Sequence, residues 1–201
     1  MDHRDHVALI RRGVPSPVGT APGAPASGGT WADIGAGEGA FTLALADLLG
    51  PGARIVAVDR DAGALRANAE SMARRFPATE LTTLVADLEG PLDLPILDGL
   101  VAANSLHFVP RARQVAAVRS LAAHLLPGAP FIVVEYDADR GNPWVPHPFS
   151  MRGWERLAAE AGLDGTTEIG RVPSRFLGGI YGAVSRRPSA VTSRSTSPES
   201  L

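Results

Sequence analysis

Short apolar runs alternate with amphipathic helical patterns along most of the chain, and this alternation restricts the possible folds more than any other feature. Five runs bounded by turn residues are typical of buried strands, at 30–34, 54–58, 81–85, 99–103 and 131–136. Four amphipathic patterns predict helices, at 41–49, 65–76, 115–125 and 154–161. Such an alternation is typical of parallel strands joined by right-handed crossovers, and it therefore predicts an open, doubly wound α/β sheet.

The last third of the chain departs from this pattern. Two further strand-like segments, 166–174 and 177–187, are separated by only two residues. Because a parallel connection needs a crossover of a dozen or more residues, these two strands must pair antiparallel. We therefore predict a mostly parallel, seven-stranded sheet that ends in an antiparallel hairpin.

The composition along the chain predicts four regions. An N-terminal helix is expected within 1–12, followed by a linker rich in proline and glycine at 13–29. The folded domain is expected to span 30–187. A Ser/Thr-rich tail at 188–201 is predicted to be disordered.

The residue types that are missing exclude several chemistries. The chain has no cysteine, and all 19 of its basic residues are arginine. It therefore cannot form a lysine Schiff base, a thiolate nucleophile or a cysteine-ligated zinc site. The net charge of −2 gives no field that would attract nucleic acid. A charged N-terminus and the lack of a long apolar run predict a cytoplasmic protein with no signal peptide and no membrane span.

A glycine-rich segment lies between the first predicted strand and the first helix. Residues 33–39 read DIGAGEG, a pattern that allows a tight turn and a close approach of the backbone to a ligand. The glycine spacing alone also fits the nicotinamide fingerprint, in which Ala40 would replace the third glycine. Asp33 argues against a pyrophosphate, because a carboxylate beside the mouth of the site would repel it and would favour an ammonium group.

Two more carboxylates follow the next two predicted strands. Asp59 lies about twenty residues beyond the glycines, the usual position for binding ribose hydroxyls. Asp87 follows the third strand and could accept from an adenine amino group, while the Leu88 amide could donate to the ring. Either carboxylate could instead form a turn or cap a helix. Taken together, the three acids predict a ligand with an amine, a ribose and an adenine.

These residues resemble the class I S-adenosylmethionine-dependent methyltransferases over essentially all of 30–187. The segment 98–107, DGLVAANSLH, resembles the fourth-strand motif of the small-molecule branch related to ubiquinone-biosynthesis methyltransferases. The resemblance implies a Rossmann-like fold, S-adenosylmethionine as cofactor and methyl transfer to an oxygen, nitrogen or carbon of a small molecule. The predicted cofactor-binding residues are Asp33, Gly35, Ala36, Gly37, Asp59, Arg60, Asp87, Leu88, Asn104 and Ser105.

The acceptor is expected at the same edge of the sheet. His107 follows the fourth strand and could act as a general base, with packing and hydrogen bonding as the alternative role. The loop 138–150 is expected to cover a small, partly aromatic pocket, helped by residues 3–12 or by a second subunit of a homodimer. The predicted acceptor-binding residues are His107, Tyr136, Asp137, Trp144 and His147.

Two alternative functions are compatible with the sequence. One is a non-catalytic partner subunit that binds the cofactor, and the other is a nicotinamide-dependent oxidoreductase. A metal site is not predicted, because the spacing of Glu135, Asp137 and Asp139 is more typical of a solvated loop.

Overall fold

The computed structural model describes residues 1–15, 28–174 and 177–189. Residues 16–27 of the predicted linker and 190–201 of the predicted tail lie outside the described residues. The strands are Thr30–Ile34 (β1), Arg54–Asp59 (β2), Glu80–Val85 (β3), Gly99–Ala103 (β4), Pro130–Tyr136 (β5), Asp164–Pro173 (β6) and Gly179–Arg186 (β7). The α-helices are His3–Ile10 (α1), Ala40–Leu49 (α2), Ala62–Arg75 (α3), Arg111–Ala122 (α4) and Met151–Glu160 (α5), with a short 3-10 helix at Leu106–Phe108.

The seven strands form one sheet in the order β3-β2-β1-β4-β5-β7-β6. The strands β1 to β5 are parallel, whereas β7 runs antiparallel to both of its neighbours, β5 and β6. The predicted doubly wound sheet with a terminal antiparallel hairpin is therefore confirmed. The chain proceeds from β1 to β3 in one direction along the sheet and from β4 onwards in the other direction. This change of direction leaves a crevice between β1 and β4 at the carboxyl ends of the strands.

Local signals in the sequence set where the helices begin. Asp61 caps α3, because its Oδ1 accepts from the backbone amides of Gly63 and Ala64 at 2.7 and 3.1 Å. Ser150 caps α5 in the same way through the Gly153 amide. Helix α3 therefore begins at Ala62, soon after β2 ends at Asp59.

Apolar cores lie on both faces of the sheet. Helices α4 and α5 cover one face, where Phe131 and Trp154 are completely buried. Helices α1 and α2 cover the other face, where Trp31 packs with the α2 side chains. Because successive strand residues point to opposite faces, Ala32 and Ile34 belong to the first core and Trp31 to the second.

Helix α1 is an integral part of the second layer. Leu9 and Ile10 are completely buried. A Cβ placed on Gly182 of β7 would lie 2.0 Å from the Leu9 carbonyl oxygen. Only glycine at this position therefore allows α1 to pack so closely over β7. At the other side of α1, the His6 ring contacts Phe41 in the first turn of α2, with 4.9 Å between ring centroids. In the described parts of the chain, none of the helices has the length and apolar character needed to cross a membrane.

Candidate functional site

A cavity of about 340 Å³ opens at the carboxyl ends of β1, β2, β3 and β4. This is the crevice where open α/β sheets bind their ligands. Most of the residues predicted to hold a cofactor line it. They are Gly35, Gly37, Asp59, Arg60, Asp87, Leu88, Asn104 and Ser105.

The glycine loop after β1 is anchored on β2. The amides of Gly35 and Ala36 both donate to the Val58 carbonyl, at 2.8 and 2.9 Å. Gly35 has a positive φ of 73°, and a Cβ there would lie only 2.3 Å from the Cβ of Ser105. Glycine is therefore required at this position by the protein's own packing. Ala36 is buried beside it and does not reach the cavity.

Gly37 has a different reason to be glycine. Its φ is 51°, in the left-handed region, but an added Cβ would meet no protein atom within 4 Å. Because Gly37 lines the cavity, the space that a side chain would take is space available to a ligand. The loop thus brings bare backbone against the cavity, as the sequence predicted.

Asp59 lies at the end of β2 and is held by two backbone amides. Its Oδ2 accepts from Gly37 at 2.8 Å and its Oδ1 from Asp61 at 2.9 Å. A carboxylate has about four acceptor positions, so these two bonds leave capacity for a further donor such as a pair of hydroxyls. The loop and the carboxylate fix each other at the cavity wall.

Asp87 both forms a turn and lines the cavity. Its Oδ1 accepts from the Glu89 amide at 2.9 Å, which is the turn-forming role that the sequence left open. No atom of the described residues accepts from the Leu88 amide, which also lies at the cavity. The pair presents an acceptor and a free donor side by side, which is the pattern that an adenine edge can use.

Asn104 follows β4 and combines two unusual features. Over the described ranges it is the only residue besides glycine with a positive φ, at 50°. Its side-chain Oδ1 is buried and has no hydrogen-bond partner among the described residues. Neighbouring Ser105, in contrast, donates its hydroxyl to the Ile34 carbonyl at 2.8 Å. Strained backbone and an unpaired buried acceptor at a cavity wall are typical of a ligand site.

The structure corrects the prediction for Asp33. The sequence placed its carboxylate beside the mouth of the site, but the residue is only 1% exposed and does not line the cavity. The alternation of β1 turns Asp33 towards α2, where its Oδ2 accepts from the Thr42 hydroxyl at 2.6 Å. Thr42 in turn accepts from Asn68 at 2.8 Å. Asp33 therefore supports the first turn of α2 instead of facing a ligand.

Burial raises the pKa of Asp33 to about 7. The hydrogen bond from Thr42 lowers the pKa, but its effect is smaller than that of burial. The folded protein thus holds a proton that the unfolded chain releases at a lower pH. We expect the free energy of unfolding to fall as the pH rises from about 4 to about 7, because ionisation then favours the unfolded state. Asp33→Asn removes this contribution.

The measurement is chemical denaturation of both proteins at about pH 5 and about pH 8. The wild type should lose more stability than Asp33→Asn between the two conditions. Asp93→Asn, at an exposed position, is the matched control and should behave like the wild type. Equal losses in all three proteins would show that Asp33 is not the titrating group.

His107 lies in the 3-10 helix after β4 and is 3% exposed. It does not line the cavity, although the next residue, Phe108, does. The Nδ1 atom of His107 lies 2.9 Å from both carboxylate oxygens of Glu135. Glu135 is completely buried at the end of β5, so the interpretation of this residue as part of a solvated loop is wrong. The sequence reasoning missed this pair.

Only some of the residues predicted to bind the acceptor lie close to His107. The Tyr136 ring lies 6.0 Å from the His107 ring, centroid to centroid, and the His147 amide donates to the His107 carbonyl at 3.0 Å. Asp137 is engaged by the protein, since it accepts from Arg171 at 2.6 Å and from the Met151 amide at 3.0 Å. Trp144 is 79% exposed and lies outside the cavity lining.

Loop 138–150 is tied down over this region. Gln114 of α4 donates to the His147 carbonyl at 2.8 Å and to the Leu106 carbonyl at 3.3 Å, which joins the loop to the 3-10 helix. Tyr181 donates to the Phe149 carbonyl at 3.1 Å. Among the described residues, no cluster of three or more metal-ligating side chains is present.

Fold and site together define a doubly wound α/β protein with a polar crevice at the carboxyl ends of its parallel strands, and comparisons with known proteins identify the family. The family profile for a methyltransferase domain matches residues 32–131, about half of the chain. The chain belongs to the class I S-adenosylmethionine-dependent methyltransferases, and S-adenosylmethionine is its cofactor. No curated protein sequence matches the chain.

Solved structures share this fold at low sequence identity. A 1,6-didemethyltoxoflavin-N1-methyltransferase from Burkholderia thailandensis is 17% identical, with a TM-score of 0.69 over 93% of this chain and 78% of that one. A methyltransferase from Aquifex aeolicus that depends on S-adenosylmethionine is 16% identical, with a TM-score of 0.64 over 92% of this chain and 94% of that one. Another from Methanosarcina mazei is 18% identical, with a TM-score of 0.61 over 80% of this chain and 93% of that one.

Proposed function

We propose that this protein transfers the methyl group of S-adenosylmethionine to an oxygen, nitrogen or carbon atom of a small molecule by direct displacement. The observation that carries the proposal is the cavity wall, where Asp59, Asp87 and Asn104 leave acceptor capacity at the ends of three strands. The bound cofactor supplies an already activated methyl group. The chain's own part is then to orient the reactants and exclude water.

Each group on the wall suits one part of the cofactor. Asp59 would accept from the ribose hydroxyls, and Asp87 with the Leu88 amide would hold the adenine edge. The unpaired Oδ1 of Asn104 would accept from the ammonium group, the role that the sequence gave to Asp33. The acids at the wall also disfavour a pyrophosphate, and this argues against a nicotinamide dinucleotide.

A small and partly aromatic acceptor fits the surroundings of the cavity. Phe108 is 51% exposed at the cavity wall, and the Tyr136 ring lies 6.0 Å from the His107 ring, centroid to centroid. The structure from Burkholderia thailandensis contains bound 1,6-didemethyltoxoflavin and S-adenosylhomocysteine. The loop 138–150, which Gln114 joins to the 3-10 helix, would cover such an acceptor.

His107 is the group that we propose as general base for an acceptor that arrives protonated. It lies in the 3-10 helix after β4, and its ring centroid lies 4.3 Å from that of Phe108 and 6.0 Å from that of Tyr136. Burial, with a smaller contribution from the Glu135 carboxylate, raises the pKa of Tyr136. Tyr136 is therefore better suited to donate a hydrogen bond than to accept a proton.

The proposal is tested by following labelled methyl transfer from S-adenosylmethionine to three pools. These are small hydroxylated and N-heteroaromatic compounds, bulk nucleic acid and bulk protein. We expect label in the small-molecule pool alone. Label in nucleic acid or protein, or none in any pool at a protein concentration that binds the cofactor, would contradict it.

Asp59→Ala should weaken S-adenosylhomocysteine binding by about 1.5–3 kcal/mol, the usual range for hydrogen bonds to a charged group. The loss arises because the ribose hydroxyls lose their acceptor and the Gly37 amide loses its anchor. Isothermal titration measures the change. Asp47→Ala, an exposed carboxylate on α2, is the control and should bind as the wild type does. Unchanged affinity in a folded Asp59→Ala protein would remove this assignment.

A further inference from the structure

The Glu135–His107 pair is unusual in being almost entirely buried. Glu135 has no exposed surface, and both of its oxygens lie 2.9 Å from the same imidazole nitrogen. Its Oε1 also accepts from the Tyr136 amide at 2.8 Å. A buried ionisable pair of this kind is costly, and apolar residues of similar size often serve stability as well or better.

The geometry favours an ionised carboxylate in the pair. A neutral glutamic acid would donate through one oxygen only, whereas here the two oxygens are equidistant from Nδ1 and one already accepts from a backbone amide. An ionised carboxylate satisfies all three contacts as an acceptor. The Nδ1 atom of His107 must then carry the hydrogen, and the lone pair of a neutral ring is on Nε2.

We propose that Glu135 is the positioning residue that fixes His107 as its Nδ1–H tautomer and thereby makes Nε2 the proton acceptor of the methyl-transfer reaction. The inference rests on the proposed function. In the step, the acceptor atom forms a bond to the methyl carbon while the carbon–sulfur bond breaks and its electron pair stays on sulfur. The proton of the acceptor O–H or N–H passes to Nε2, and the Glu135 carboxylate balances the resulting imidazolium charge.

The neighbouring charged and titratable groups do not compete for this role. On β7, the Tyr181 hydroxyl donates to the Phe149 carbonyl. Burial raises the pKa of Tyr181, so this side chain stays neutral. On β5, Tyr136 also stays neutral, since burial raises its pKa. The carboxylate of Asp137 is paired with Arg171 from β6. Across the described residues, Glu135 is the only carboxylate within hydrogen-bond distance of the His107 ring.

The test uses nitrogen-15 NMR of the histidine-labelled protein, because the shifts of the two ring nitrogens report the tautomer directly. His107→Gln assigns the signals. Spectra are recorded from neutral to alkaline pH for the wild type, Glu135→Gln and the control Glu160→Gln. Glu160 is an exposed residue at the end of α5.

We expect the neutral wild-type ring, and the ring in Glu160→Gln, to show Nδ1–H with an unprotonated Nε2. In Glu135→Gln, the side-chain amide can donate as well as accept, so Nε2–H should appear in a substantial fraction of the molecules. A neutral wild-type ring protonated on Nε2 would overturn the proposal even if Glu135→Gln failed to fold. The same signals with and without Glu135 would overturn it as well.

Turnover separates this inference from the proposed function. On an acceptor found by the labelling screen, Glu135→Gln should lower kcat about tenfold or more while S-adenosylhomocysteine affinity stays within about twofold. If the tautomer changes but kcat does not, the pair is structural and the positioning role is refuted, while methyl transfer itself stands. If no acceptor is methylated by the wild type, the proposed function fails whatever the tautomer.

Discussion

Gly37→Val is expected to abolish detectable binding of S-adenosylhomocysteine. The branched side chain would enter the cavity at a point where no protein atom lies within 4 Å, and thus in the space that the ligand needs. Valine also disfavours the φ of 51° found here. The loop would have to shift, and Asp59 would lose the amide that anchors it. Isothermal titration is the measurement.

Gly162→Val is a closely matched control for this substitution. Gly162 also has a positive φ, at 89°, and open space around a Cβ, but it follows α5 and does not line the cavity. Gly162→Val should introduce the same backbone strain and lower the melting temperature of the protein. It should nevertheless bind S-adenosylhomocysteine as the wild type does. Wild-type affinity in Gly37→Val would mean that the glycine loop is only a turn.

His107→Gln is expected to lower kcat about a hundredfold, the lower end of what a general base contributes. The affinity for S-adenosylhomocysteine should remain close to that of the wild type, because His107 does not line the cavity proposed to hold the cofactor. The loss should shrink as the pH rises, since an acceptor that is already deprotonated needs no base. Steady-state kinetics on the screened acceptor over a pH series measure both effects.

His124→Gln serves as the control for general effects of losing an imidazole. His124 follows α4 and does not line the cavity. Its Nδ1 lies 3.2 Å from the Leu94 carbonyl oxygen. Its kcat should match that of the wild type. A full kcat in His107→Gln would leave the pair with Glu135 as a packing feature.

The fold was predictable because its signals are local. The strands 30–34 and 99–103 match β1 and β4 residue for residue, since turn residues mark their ends. The antiparallel hairpin followed from the short connection between the last two strands. The N-terminal helix ends at Ile10 instead of residue 12, a difference of the size usual for helix ends.

The site was only partly predictable because side-chain direction is not local. The sequence places Asp33 beside the glycine loop, but the pleat of β1 decides that it faces α2 and not the cavity. Glu135 belongs to the apolar run 131–136, so its strand position could have indicated burial. Its partner, His107, is 28 residues away, and no spacing signals that contact. The strained φ of Asn104 likewise appears only in three dimensions.

Isothermal titration of the wild-type protein with S-adenosylhomocysteine and, separately, with NADH tests the central claim most directly. The claim is that the cavity formed by the glycine loop, Asp59, Asp87 and Asn104 is the S-adenosylmethionine site. We predict one S-adenosylhomocysteine site per chain and no heat of binding for NADH, which carries a pyrophosphate but no amino acid moiety. Binding of NADH at this site, or no binding of S-adenosylhomocysteine to the folded protein, would contradict the account.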